Sequence, residues 1–153
     1  MEFTREKVKE VIVSKGYKWF NDNNNKGYDV NIIGIRNSET DGKVTNSFDD
    51  TLTISYKIDG EWKFHQWPAT TDPGKYYMDN PIVKKLGCAI LVPGQYRGSH
   101  KIRLHQGKYE ALGQKKPVKV YRDNDRDDVY DTDEATITEG VYGINIHRSN
   151  PYD

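Results

Sequence analysis

The sequence predicts a mainly β protein: an antiparallel β-sandwich or barrel-like sheet behind a single N-terminal helix, which gives α+β character at that end only. Three observations carry this prediction. Apolar residues alternate at period two through residues 52–64, turn signals recur between short β-rich runs, and helical spacing is confined to one stretch near the N-terminus. A βαβ arrangement would need further helices between the strands, and no second helical pattern is strong enough for one.

The helix is placed by its ends. Thr4 can cap it, because a hydroxyl accepts from the free N–H groups of the first turn, and Glu6 sits where the helix dipole favours an acid. Val8, Val11, Ile12 and Lys15 follow at spacings of three and four, and Gly16 can take the left-handed C-terminal position. Residues 21–27, "NDNNNKG", form a polar linker. The expected organisation is therefore a helix over 1–20, a linker over 21–27 and a β-rich domain over 28–153.

Strands are expected from Tyr28 onward. "YDVNIIGIR" is the first. In "TLTISYKIDGEWKF" Leu52, Ile54, Tyr56 and Ile58 share one face, Asp59-Gly60 supplies the positive φ angles of a tight hairpin, and Trp62 and Phe64 continue the alternation. Further strands are expected at 88–92, 100–104, 117–122 and 141–147, with turns at Pro73-Gly74 and Pro93-Gly94.

Composition excludes several classes. The 23 basic and 23 acidic residues cancel, so no overall field holds a polyanion, and no nucleic-acid partner is expected. Lys108, Lys115, Lys116 and Lys119 read as a solvated surface. No apolar run approaches the ~20 residues of a membrane span, and no membrane partner is expected. The charged N-terminus lacks the apolar centre of a signal peptide, so the expectation is cytoplasmic synthesis, with release by lysis or carriage in a virion. One cysteine, Cys88, rules out an internal disulfide and a multi-cysteine zinc site.

The most chemically specific stretch is "RDNDRDDVYDTDE", residues 122–134, with seven acids in thirteen residues. Asp123, Asp125, Asp127, Asp131 and Glu134 fall at positions 1, 3, 5, 9 and 12 of a calcium loop, with the Val129 carbonyl at position 7. Hard oxygen ligands at that spacing wrap a single ion, so the cofactor expected is a structural Ca2+. Asp128 replaces the turn glycine of the motif, and β-rich text replaces its flanking helices. The other reading is a solvated acidic hairpin tip, with Arg122 and Arg126 as counter-charges.

His65, His100, His105 and His147 are scattered through strand-like text, without the helical spacing of a zinc protease pair. Cys88 follows glycine beside an apolar run and reads as a small core residue. Its other reading is a thiolate nucleophile, which needs a histidine nearby.

Three segments, "FHQWPATTDPG" (64–74), "VPGQYRGSHKI" (92–102) and "YGINIH" (142–147), together resemble the L,D-transpeptidase (YkuD-like) catalytic domain, in particular that of phage-type cell-wall proteins. Val92 stands where the family's Thr-Pro-x-Gly segment has threonine. The resemblance spans roughly residues 28 to 149, and it implies a β-sandwich whose cysteine attacks a carbonyl in peptidoglycan stem peptides. One position carries over: His147, as the catalytic histidine. The family's Ser/Thr-x-Gly-Cys segment follows that histidine, which places the nucleophile beyond Asp153, and a chain ending there would be inactive. Cys88 precedes His147 and is not assigned that role.

Three functions are therefore expected in competition. The first is a peptidoglycan-directed L,D-transpeptidase or L,D-peptidase-like domain lacking its nucleophile. The second is a non-catalytic, calcium-stabilised structural or wall-binding module, such as a virion component. The third is an unrelated thiol site at Cys88.

Overall fold

The computed structural model describes residues 2–40 and 42–149, the Thr40 side chain excepted. The final residues of the expected β-rich domain, 150–153, lie outside the described residues. The chain divides into two compact units, Met1–Lys75 and Tyr76–Asp153. The fold is mainly β, with antiparallel sheets and one substantial helix at the N-terminus.

In the first unit, helix α1 (Arg5–Ser14) begins where the Thr4 hydroxyl accepts from the Lys7 amide at 3.1 Å. It ends as the glycine requires. Gly16 turns left-handed at φ 75°, and the amides of Gly16 and Tyr17 donate back to the carbonyls of Val13 and Ile12. Three strands follow, β1 (Asn31–Ile35), β2 (Asp50–Ile58) and β3 (Glu61–Ala69), paired antiparallel in that order. Asp59 (φ 51°) and Gly60 (φ 74°) close the β2–β3 hairpin, and Ile58 pairs with Glu61.

The alternation in β2 is present, but its buried face is the polar one. Thr51, Thr53 and Ser55 are buried, whereas Leu52, Ile54, Tyr56 and Ile58 keep partial exposure. The register explains this. Gln66 and Trp62 lie opposite Thr53 and Lys57, so they share the polar face. Gln66 exchanges two hydrogen bonds with the backbone of Phe3, and Trp62 packs against Trp19 and under the Arg5 guanidinium. The N-terminal segment thus covers that face, with Val8 and Trp19 as its buried apolar residues. Within 21–27, Asp22 is buried and accepts from the amides of Lys26 and Gly27.

A short helix, α2 (Lys75–Asp79), begins at the last residue of the first unit, and the second unit continues with β4 (Cys88–Leu91), β5 (His100–His105), β6 (Tyr109–Gln114), β7 (Val118–Asp123) and β8 (Thr138–Gly140). The strands form a β4-β7-β8 sheet and a β5-β6 hairpin, all antiparallel. Ile90, Val118 and Val120 are essentially inaccessible, and Met78 and Cys88 join them in the core.

The strand expected over 141–147 is a correction. Only Ile146 forms a β-bridge, to Leu112. Gly143 has φ 70°, which interrupts an extended run. The buried Gln114 side chain takes the place of a ladder. Its amide nitrogen donates to the carbonyls of Lys116 and Gly140, and its oxygen accepts from the amides of Tyr142 and Ile144, at 2.9–3.1 Å. All four hydrogen-bonding positions of the side chain are used.

Candidate metal centre

Strand β7 delivers Asp123 to the site. Its last residue pairs with Cys88, the first of β4, and both are buried. Glycine at position 87 permits this approach, because a Cβ there would collide with the Asp123 carbonyl and the backbone that follows it. Beyond Asp123 the chain turns at Arg126, which adopts φ 57°. Three side chains hold this turn to the segment before β4. Arg122 donates to the Gly87 carbonyl, Asn124 to that of Lys85 and Arg126 to that of Lys84.

The turn brings three carboxylates together. One oxygen from each of Asp123, Asp125 and Asp131 lies within 4.8 Å of the other two. Asp123 is 3% exposed. Its Oδ2 accepts from the Asp131 amide at 2.7 Å, while its buried Oδ1 has no hydrogen-bond donor. An orphaned charged oxygen in a buried site costs several kcal/mol unless a proton or a cation relieves it.

The proton affinities follow from that crowding. The Asp131 carboxyl is pushed up to about 6, first by its hydrogen bond to the Asp125 carboxylate, then by desolvation and by the surrounding negative charges. The same bond holds Asp125 below the ordinary carboxylate range. Burial pushes Asp123 up, and the Asp125 charge adds to that effect. The cluster can therefore take up positive charge, and its three carboxylates could hold a metal ion.

The structure brings together the carboxylates at positions 1, 3 and 9 of the expected calcium loop, and those of Asp127 and Glu134 are not part of this cluster. Asp127 uses Oδ1 to accept from the Val129 amide at 3.0 Å. Val129 is partly exposed beside it. Glu134 opens a 3-10 turn (Glu134–Thr136) capped by Asp133. The reason is the position of the turn. A helix–loop–helix calcium loop bends at its sixth residue, here Asp128, whereas this chain takes its left-handed residue two positions earlier at Arg126.

His147 lies elsewhere in the second unit. Its ring stacks on His105 at 4.2 Å, and its Nδ1–H donates to the Arg148 carbonyl at 2.7 Å. The Cys88 thiol donates to the Tyr77 carbonyl at 2.8 Å. Burial pushes that thiol up, and Asp123 adds to the effect. Among the described residues neither Cys88 nor His147 is the other's partner, and Cys88 behaves as the core residue that its apolar surroundings suggest.

The resemblance segments divide between the units: 64–74 falls in the first, 92–102 and 142–147 in the second. No family model, curated protein or solved structure matches the chain.

Sequence reasoning missed Gly87, Asn124 and the structural use of Gln114. The "LGC" run carried the one available signal, a glycine immediately before a buried strand, where close backbone approach is common.

Proposed function

We propose that this chain is a β-rich module stabilised by a divalent cation, and that the ion is calcium. The observation that carries this reading is the buried Asp123 Oδ1, which has no donor and stands in a cluster with two further carboxylates. Calcium fits better than magnesium. The donors are hard carboxylate oxygens, and Ca2+ accepts about six to eight of them in a flexible shell, whereas Mg2+ demands near-ideal octahedral geometry at about 2.1 Å. Three carboxylates leave the rest of a calcium shell to carbonyl oxygens and water.

Isothermal titration of the chelator-treated protein with CaCl2 and with MgCl2 tests this. The expected result is saturable calcium binding with an accompanying rise in melting temperature. The absence of both would refute it.

For the module's partner we propose the peptidoglycan surface, on the resemblance of segments 92–102 and 142–147. Co-sedimentation with purified sacculi checks it, and protein that stays in the supernatant with and without calcium would sink the idea.

A further inference from the structure

Between Tyr76 and Leu86 the second unit presents apolar side chains to solvent. Ile82 is 87% exposed, Tyr76 69%, and Tyr77, Val83 and Leu86 are exposed by about half. Monomeric surfaces rarely group so many, and such grouping marks an interaction site.

The segment is ordered by its own contacts. The Tyr76 and Tyr77 rings meet edge to face at 5.3 Å, and Asn80 donates back to the Tyr76 carbonyl. Leu86 and Gly87 both donate to the Val83 carbonyl, and the Cys88 thiol anchors Tyr77. Little ordering entropy is therefore left to lose on docking.

The rim identifies the occupant. Lys84 and Lys85 lie in the apolar run with exposed side chains. Immediately beside them, joined by the Asn124 and Arg126 bonds to their carbonyls, is the acidic turn with exposed Asp127 and Asp128. A rim of one sign would attract an opposite surface and repel its own kind. A rim carrying both signs around an apolar centre is complementary to itself. In a two-fold contact the same patch serves on both sides, so the lysines of one copy meet the aspartates of the other. The formal net charge of zero removes the general repulsion that otherwise keeps copies apart. An anionic membrane is disfavoured by the same acids.

We propose that residues 76–86, with Asp127 and Asp128 of the adjoining turn as rim, form an isologous interface between two copies of this chain. This reading stands apart from the cation site, since it uses none of the three clustered carboxylates.

Sedimentation equilibrium of the full chain at micromolar concentration tests it. The wild type is expected to run as a dimer. Ile82→Glu and Leu86→Glu are expected to weaken association at least tenfold with the far-ultraviolet circular dichroism unchanged. Lys84→Glu/Lys85→Glu provides a second variant whose substitutions lie in solvent, where folding is not at stake. It leaves Arg126 as the one cation of an otherwise acidic rim, so its dimer is expected to be lost at low salt and partly recovered at high salt. A monomeric wild type, open-ended association, or dimers that persist in all three variants would overturn the interface.

Discussion

Asp123→Asn separates the two states of the acidic cluster, because it acts on them with opposite sign. Asparagine is nearly isosteric. Its side-chain oxygen can keep the 2.7 Å bond from the Asp131 amide. Its NH2 group replaces the orphaned Oδ1 and donates towards the neighbouring carboxylates. In chelator the substitution removes a buried charge that lacks a donor, so the variant is expected to be more stable than the wild type by about 1–2 kcal/mol. With calcium the order reverses. At a free concentration near one hundred times its dissociation constant, calcium stabilises the wild type by about 2.7 kcal/mol. The variant, with a neutral ligand at the buried position, forgoes most of that gain. Differential scanning calorimetry with EDTA and with CaCl2 reads both effects, at about 4–8 °C per kcal/mol for a small unit. A variant that melts below the wild type in EDTA, or that gains as much from calcium, would refute the reasoning.

Other expectations can be checked with the same material. In chelator, Asp131 and Asp123 hold protons more tightly in the fold than in the unfolded chain. Their contribution is complete below the ordinary carboxylate pKa and is lost as the pH rises through about 6. The metal-free melting temperature should therefore fall between about pH 4 and about pH 6, from the ordinary carboxylate range to the raised Asp131 value. Calcium should remove that fall, while the opposite shift of Asp125 acts only at lower pH. Gln114→Ala removes four side-chain hydrogen bonds from a buried position, at a cost of about 2–4 kcal/mol. Hydrogen exchange at Tyr142 and Ile144 should accelerate in that variant, and unchanged protection there would count against it. The Cys88 thiol should resist a disulfide reagent at neutral pH until the chain unfolds, since burial raises its pKa. Rapid labelling of the native protein would contradict its placement.

How much of this was legible in the sequence depends on whether the signal was local. The helix and the β2–β3 hairpin are written in their ends: a capping threonine, a terminal glycine and Asp59-Gly60. Period two located β2 but could not say which face would be covered. That choice depends on Phe3 and Trp19 reaching residues more than forty positions away, and it placed Thr53 and Ser55 inside. Strand β6 was missed because Gln106-Gly107 does not announce a turn as Asp-Gly does, although both residues take positive φ. At the acidic loop the spacing identified Asp123, Asp125 and Asp131. It could not anticipate that Arg126, held to Lys84, would bend the chain early and draw Asp127 and Glu134 to other tasks.

The attachment of residues 140–144 has a consequence for the freedom of their sequence. Gln114 grips carbonyl and amide groups, which nearly every amino acid supplies alike. The identity of Val141 is therefore only loosely constrained by that grip, and its side chain faces solvent at 56% exposure. A segment fastened by its main chain can exchange its outward side chains without coming undone. That makes position 141 a practical place for grafting a tag or a foreign epitope onto a folded unit.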